Sequence, residues 1–571
     1  MLTRILATRL SLGAALVLLA TSGLSGAGAT GYERNGARAL SSESTQAAGD
    51  LDPTFGNGGE VTTDFFGNND GASAVAIQPD GKIVVAGSAK HGSDSSTSDF
   101  ALSRYNQDGT LDQTFGSGGK QTTDFFGQLD VAYAVAIQTD GKIVLVGLTY
   151  SSTDPATVDF ALARYNADGS LDQGFGSGGK QTTDFFGGVD AAYAIAIQGD
   201  GRLVVAGYAL HTSDYSTGDF ALARYNPDGT LDQSFGSGGK QTTDFFGNLD
   251  SVSGLTIQPD GKIVAAGYAR NSADTSTDDF ALARYNQDGA LDQTFGSGGK
   301  QTTDFFGHED AAEGVTLQAD GKILLAGQTY HGDDNSTSDF ALARYNPDGT
   351  LDQGFASGGR QTTDFFGALD SAYAIAVQSD GKIALVGTAR HTSDPSTSDF
   401  ALARYNQDGS LDQSFGSAGK QTSDFFGNLD GADGVAIQPD GKIVLAGIAL
   451  HTSDFSTGDF ALARYNGGLV APDFSISFNP ASLTTQAGTK VAATLLINRT
   501  GGFSGNVTVT PPGPSGGIKP KPPDPVTITG PSAVFKTKVG GGVGPGSYSR
   551  IFTATDDSGR TRTATVTIVV Q

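Results

Sequence analysis

The sequence contains no cysteine. This absence excludes disulfide bonds, thiolate metal sites, cysteine nucleophiles and a lipid-modified N-terminal cysteine. A His-Glu-Xaa-Xaa-His zinc motif and a P-loop are also missing. Without disulfides the fold must be stabilised by its core, and 571 residues are enough to bury a large one. We therefore assign no catalytic residue from the sequence.

Long apolar runs are missing too, except near the start of the chain. Leu10 to Ala20 is apolar but too short to span a bilayer as a helix. Two arginines precede it and Ala27-Gly28-Ala29 follows it, in the order that is typical of a secretory signal peptide. We predict a signal peptide over residues 1–29, a mature chain that begins near Thr30, and a flexible linker over 30–50. The protein is expected to be secreted or held at the cell surface.

Basic residues are few, with 36 Lys and Arg against 61 Asp and Glu and a formal net charge of -25. Such a chain would repel a phosphate backbone, so nucleic acid is not an expected partner. Cations and basic surfaces are better candidates. The alternative interpretation is that the charge only provides solubility in a salty exterior.

The main positive feature is a repeat. The pattern of Leu51-Asp52-Pro53-Thr54-Phe55-Gly56 occurs seven times in all, as Leu-Asp-Xaa-Xaa-Phe followed by Gly or, once, by Ala356. The interval is always 60 residues, without insertion or deletion. Seven units of one length favour a closed ring in which every unit fills the same wedge. We predict an all-β protein with a seven-bladed β-propeller over residues 51–468.

Each unit is predicted to contain four strands. In the first unit, Ala72 to Gln78 and Lys82 to Gly87 form a hairpin, Phe100 to Asn106 is the third strand, and the fourth lies within Leu111 to Phe125. The repeat region opens with a fourth strand and ends with a third one. We therefore predict that residues 51–65 complete the seventh blade and close the ring, which removes an exposed edge.

Three motifs carry a family resemblance. They are the Leu-Asp-Xaa-Xaa-Phe-Gly start, the Gln-Pro-Asp-Gly-Lys-Ile-Val-Val-Ala-Gly hairpin of Gln78 to Gly87, and the Phe-Ala-Leu-Xaa-Arg-Tyr-Asn strand of Phe100 to Asn106. With them the region from Leu51 to about Asn466 resembles the bacterial delta-60 repeat propellers. The hairpin is also similar to the inner strands of NHL and gluconolactonase-type propellers. The resemblance implies a fold and an exported setting, and it implies no established activity.

After Gly468 the repeats stop and the composition changes. Seven short strands are predicted at 474–478, 490–498, 507–510, 526–528, 533–539, 548–554 and 560–570. Their number and spacing predict an immunoglobulin-like β-sandwich over 473–571, similar to the bacterial immunoglobulin-like modules appended to exported proteins. This part has nine Lys and Arg against four Asp. A partner-facing module and a basic spacer both fit that charge.

The loops of the predicted propeller divide between two faces. Tight Asp-Gly turns occupy one face, and the longer connections at 64–71, 88–99 and their equivalents occupy the other, which we call the long-connection face. Binding sites of scaffolded proteins concentrate on long loops. We therefore expect any functional site on the long-connection face.

Several acidic residues and one arginine recur in all units. Asp70 and its equivalents precede the innermost strand and are predicted to ring the mouth of the central channel: Asp70, Asp130, Asp190, Asp250, Asp310, Asp370 and Asp430. The alternative is that each accepts backbone N–H groups in its own turn. Arg104 in mid-strand needs a carboxylate partner, for which Asp64 or Asp99 is predicted, so that all three are structural.

A unique site should lie where the units differ. Two repeat positions vary strongly, one beside the predicted channel mouth and one on the long loop. Tyrosine and arginine are favoured at recognition surfaces, and neutral drift on exposed loops is the alternative. The candidate ligand-binding residues are Tyr133, Tyr193, Glu313, Tyr373 and Asp433 at the first position and Tyr150, Arg270, Tyr330 and Arg390 at the second.

These observations favour a non-catalytic binding or scaffolding protein of the cell exterior that presents an acidic propeller face to a protein or glycan. The first alternative is a metal-dependent hydrolase similar to lactonase propellers, which only Glu313 and Asp433 support. The second is a structural envelope protein. No cofactor or bound metal is expected, and Ca²⁺ is the one alternative left open. No nucleic-acid partner and no membrane span are expected, and the sequence does not predict an oligomeric state.

Overall fold

The computed structural model describes most of the chain after residue 46. The described residues are 47–92, 97–152, 157–211, 217–272, 277–332, 337–392, 394, 397–452, 457–468, 473–500, 505–557 and 559–571. The predicted signal peptide and most of the predicted linker lie outside them. Within the described residues every regular element is a β-strand, and none of them forms a helix long and apolar enough to cross a membrane.

The repeat region forms seven sheets of four strands each. The innermost strands are β2 (Asp70–Ile77), β6 (Asp130–Ile137), β10 (Asp190–Ile197), β14 (Asp250–Ile257), β18 (Asp310–Leu317), β22 (Asp370–Val377) and β26 (Asp430–Ile437). The second strands are β3 (Ile83–Lys90), β7 (Ile143–Tyr150), β11 (Leu203–Leu210), β15 (Ile263–Arg270), β19 (Ile323–Tyr330), β23 (Ile383–Arg390) and β27 (Ile443–Leu450). The third strands are β4 (Ser98–Tyr105), β8 (Val158–Tyr165), β12 (Gly218–Tyr225), β16 (Asp278–Tyr285), β20 (Ser338–Tyr345), β24 (Ser398–Tyr405) and β28 (Gly458–Tyr465). The outer strands are β1 (Glu60–Thr63), β5 (Lys120–Thr123), β9 (Lys180–Thr183), β13 (Lys240–Thr243), β17 (Lys300–Thr303), β21 (Arg360–Thr363) and β25 (Lys420–Ser423).

The ring closes as predicted, between the two ends of the repeat region. β1 pairs antiparallel with β28, with Glu60 opposite Ala463 and Thr63 opposite Phe460. Each innermost strand also contacts the innermost strand of the next blade, and β26 contacts β2. The prediction of a seven-bladed propeller closed by the N-terminal strand is confirmed.

The hydrophobic core of this region lies between consecutive blades. One cluster combines Val146 and Phe160 of the second blade with Leu203 and Val205 of the third, all fully buried. Each sheet is therefore covered on both faces, which explains why its inner strands are apolar on both sides. Within the third blade the two inner strands also approach closely at Gly207, where an added Cβ would lie 1.8 Å from the carbonyl oxygen of Ala191.

The described residues between 473 and 571 belong to a second compact unit. Its strands are β29 (Asp473–Asn479), β30 (Ser482–Thr485), β31 (Lys490–Thr500), β32 (Val507–Thr510), β33 (Ile518–Lys521), β34 (Val526–Ile528), β35 (Ser532–Val539), β36 (Gly546–Asp556) and β37 (Thr561–Val570). They form two sheets, β29-β31-β35-β33 and β30-β37-β36-β32-β34. The rings of Phe478, Phe535 and Phe552 meet between these sheets, with centroids 4.8 to 6.5 Å apart. All seven predicted strands are present, and β30 and β33 are additional edge strands.

Candidate functional site

One exposed phenylalanine projects from every blade on the long-connection face. The segment Asp64-Phe65-Phe66-Gly67 turns tightly, because the Asp64 carboxylate accepts the N–H of Gly67 and Gly67 has a φ of 72°. Phe65 turns inward and its ring lies 4.9 Å from that of Phe460, whereas Phe66 turns outward. The exposed set, which we call the phenylalanine crown, is 41 to 51% exposed and comprises Phe66, Phe126, Phe186, Phe246, Phe306, Phe366 and Phe426.

In five blades a histidine ring lies against the exposed phenylalanine. The ring centroids are 3.9 Å apart for Phe66 and His91, and the equivalent distances in the other four blades reach 4.7 Å. Each histidine Nε2 lies 2.6 to 3.0 Å from the Oδ2 of an aspartate eight residues later, as in His91 and Asp99. The second and fourth blades carry Ser151 and Asn271 at this position.

Asp99 and its equivalents in other blades also lie close to two further carboxyls. In five cases three aspartates from two neighbouring blades offer oxygens within 4.8 Å of one another, as in Asp339, Asp364 and Asp370. Burial raises the pKa of Asp279 to about 6, and the charge of Asp304 adds to that rise. The crown therefore stands on a surface rich in carboxyls that are held close together.

The predicted acidic ring at the channel mouth is wrong in one respect, because its seven carboxyls do not face solvent. Asp70, Asp130, Asp190, Asp250, Asp310, Asp370 and Asp430 are all 0% exposed. The Asp70 Oδ2 accepts the N–H of Phe65 at 2.6 Å, and its Oδ1 accepts the N–H of Lys90 at 3.1 Å. Burial raises the pKa of these carboxyls from 3.8 to about 7 or about 8. They organise the turn that presents the crown.

The predicted partner of Arg104 is also wrong. Arg104 pairs with Asp112, with Nε 2.8 Å from Oδ2, and donates to the carbonyl of Ala167 in the next blade at 2.5 Å. Asp64 and Asp99 cannot reach it, because they lie at the opposite end of the blade. Asp99 is five residues away along one extended strand, which corresponds to roughly 16 Å.

The same pair closes the ring. Arg464 near the end of the repeats binds Asp52 near the start, with Nε 2.9 Å from Oδ2. The aspartate of the Leu-Asp-Xaa-Xaa-Phe-Gly motif therefore binds the mid-strand arginine at the ring closure, as it does within the other blades.

The first variable position coincides with a β-bulge in every innermost strand. The pairing between the first and second strands shifts at this residue, as between Ala72 and Ala74 around Ser73 and between Ala312 and Gly314 around Glu313. A bulge redirects a side chain out of the regular ladder. The bulge residues are Ser73, Tyr133, Tyr193, Ser253, Glu313, Tyr373 and Asp433.

The bulge residues differ on the two sides of the ring. Tyr133 and Tyr193 lie in neighbouring blades with their rings 4.8 Å apart, and they belong to a buried cluster with Tyr208 and Tyr268. Ser253, Glu313, Tyr373, Asp433 and Ser73 occupy the other five blades. The inner rim therefore has an aromatic side and a polar side.

The second variable position is mostly internal. Arg270 forms a bidentate pair with Asp278, at 2.7 and 2.9 Å, and both side chains are buried. This pairing gives Arg270 a structural role and removes it from the ligand-binding candidates. Tyr150 packs at the edge of the aromatic cluster, while Tyr330 and Arg390 are half-buried and lie near Tyr373.

Comparison with known proteins gives one informative match. No curated protein matches the sequence. One solved structure, the N-terminal four Ig domains of Dscam1 isoform 6.9, is 9% identical over 64% of this chain and all of its own, but the TM-score of 0.14 carries no argument. A family model described as "Domain of unknown function (DUF5122) beta-propeller" matches residues 78–115, 138–175, 198–235, 258–295, 318–355, 378–415 and 438–467. These matches fall once in each of the seven 60-residue units, and the repeat region therefore consists of DUF5122 β-propeller repeats.

Proposed function

We propose that the protein is an exported, non-catalytic binding protein whose phenylalanine crown binds a polysaccharide. The observation that carries this proposal is one phenylalanine per blade that is close to half exposed in all seven blades. A core requirement does not explain it, since Phe65 already supplies the buried ring of the same turn.

The chemistry of the crown suits a sugar residue. A flat ring such as Phe366 stacks on the apolar face of a pyranose, and neighbouring carboxylates accept hydrogen bonds from hydroxyl groups. His391 covers one side of Phe366 with ring centroids 4.0 Å apart and Asp399 lies beside it, so the other side remains for a ligand. The net charge of -25 favours a neutral glycan over an anionic one.

The repetition favours a glycan over a protein partner. A stable protein interface usually needs a contiguous patch of about 800 Å² on each partner, whereas the crown offers separate single rings. A polysaccharide presents the same unit many times, and several weak contacts on one scaffold add up through effective concentration.

The proposal also includes export of the protein and an immunoglobulin-like C-terminal unit. The order of basic, apolar and small residues over 1–29 supports secretion through a signal peptide. Two facing sheets around a phenylalanine-rich core support an immunoglobulin-like module, which would act as a spacer or attachment unit.

The test is binding of the full chain to immobilised neutral polysaccharides such as β-glucan and chitin, with peptidoglycan alongside. Alanine at all seven crown positions should abolish the binding. The matched control is Ile551→Ala, since Ile551 in the C-terminal unit is 57% exposed and its replacement should leave binding unchanged. Retention of binding by the sevenfold variant would overturn the proposal, and so would binding only to a protein.

A further inference from the structure

The polar side of the inner rim is a continuous set of five residues. We call it the polar arc, and it consists of Ser253, Glu313, Tyr373, Asp433 and Ser73 from blades that follow one another around the ring. Each member is the bulge residue of its strand. The other two blades carry Tyr133 and Tyr193 at this position, so both carboxyls and both serines of the bulge position lie within the arc.

The backbones beside the arc are in close contact. An added Cβ at Gly434 would lie 3.1 Å from the Cα of Ala74, and one at Gly254 would lie 2.9 Å from the backbone nitrogen of Val315. These contacts bring Asp433 next to Ser73 and Ser253 next to Glu313. The two serines thus flank the two carboxyls on either side.

The flanking hydroxyls lack protein partners. Ser73 and Ser253 are each 8% exposed, and their Oγ atoms have no hydrogen-bond partner among the residues that the structure describes. The Oδ2 of Asp433 is shielded from solvent and also lacks a partner within that part of the chain. Burying such groups without a partner costs free energy, so the arc has oxygen atoms that a ligand would satisfy.

The two carboxyls of the arc indicate that its ligand is a cation. Burial raises the pKa of Asp433 well above its usual value, and the negative charge of Glu313 raises it further. The ligand atoms are carboxylate, hydroxyl and phenol oxygens, with no nitrogen or sulfur. Hard divalent cations prefer such ligands, and Ca²⁺ accepts irregular sets of them completed by water.

We propose that the polar arc binds one Ca²⁺ ion at the inner rim of the propeller. Glu313 and Asp433 supply the charge, and Ser73, Ser253 and Tyr373 supply neutral oxygens. Burial and the charges of Asp433 and Glu313 raise the pKa of the Tyr373 phenol, and the nearby Arg390 opposes that rise. Its positive charge opposes the bound cation, so Arg390→Gln should tighten binding.

The first experiment is calorimetric titration of the chelator-treated full chain with CaCl2. We expect a single tight ion whose affinity falls roughly 100-fold in the double variant Glu313→Gln, Asp433→Asn. The matched control is Asp364→Asn in one of the between-blade aspartate clusters, which should leave this ion in place. Absence of a tight ion, or loss of it in the control but not in the double variant, would overturn the proposal.

A second experiment locates the ion. The chain has no tryptophan, so emission from bound Tb³⁺ must be sensitised by tyrosine. Tyr373→Phe should lower this emission strongly while CaCl2 affinity changes less than it does in the double variant, and Tyr133→Phe on the aromatic side should have little effect. Equal emission from Tyr373→Phe and the unmodified chain would contradict a site at the arc.

Discussion

The seven buried Asp70-type carboxyls should make the propeller less stable as the pH rises. Their pKa is raised from 3.8 to about 7 or about 8 in the folded chain. Between these values the folded chain binds more protons than the unfolded chain, so the free energy of unfolding falls with increasing pH. The stabilisation is complete below pH 3.8 and is lost as the pH passes through 7 to 8.

The expected effect is large because it is repeated. A difference of one pKa unit between the folded and unfolded chain corresponds to about 1.4 kcal/mol. Counting only one such unit per carboxyl, the seven together would lower the free energy of unfolding by about 10 kcal/mol between pH 5 and pH 8.5.

The assay is urea unfolding at several pH values, followed by near-ultraviolet circular dichroism of tyrosine. The signal reports the propeller, since Tyr548 is the only tyrosine after residue 468. Asp310→Asn isolates the contribution of one carboxyl from that of the other titratable groups. Its amide oxygen can still accept the N–H of Phe305, which Asp310 accepts at 2.7 Å.

The variant should be at least as stable as the unmodified chain at pH 8.5 and should show a smaller fall in stability from pH 5. Equal destabilisation by Asp310→Asn at both pH values would refute the reasoning, and so would a free energy of unfolding that is flat or rises between pH 5 and pH 8.5.

Two further predictions concern ring closure and packing. Asp52→Ala leaves the buried Arg464 without its carboxylate and should lower the free energy of unfolding by about 3 kcal/mol, measured by thermal or urea unfolding. Asp80→Ala in an exposed turn should lower it little. Equal effects of the two variants would contradict ring closure by this pair. Gly207→Ala places a Cβ 1.8 Å from the Ala191 carbonyl oxygen and should destabilise by at least about 2 kcal/mol, while Gly199→Ala in the same blade meets no atom within 4 Å and should be close to neutral in the same assay.

Much of the fold could be predicted from the sequence because the repeat constrains it. Seven copies at a constant 60-residue interval predict seven blades. The repeat region begins with an outer strand and ends with a third strand, which predicts that β1 pairs with β28 to close the ring. Edge strands were harder to find. β33 carries Pro520 between two lysines, a composition that is tolerated at a sheet edge but does not resemble a strand.

The site was less predictable because it depends on register and on the direction of side chains. Phe65 and Phe66 are adjacent and identical in type, and only the turn held by Asp64 decides which one is exposed. Predicting the partner of Arg104 from the sequence requires knowing which end of the blade its side chain reaches. A bulge at Glu313 is invisible in the residues themselves, since it is a property of the pairing between β18 and β19.

The account depends most on the phenylalanine crown as a multivalent binding surface. The most direct measurement is the dissociation constant for a soluble polysaccharide as crown residues are replaced by alanine one, three and seven at a time. We predict a progressive loss, because each blade contributes an equivalent contact. An affinity that stays unchanged in the single and triple variants, or that depends on a single blade, would contradict it.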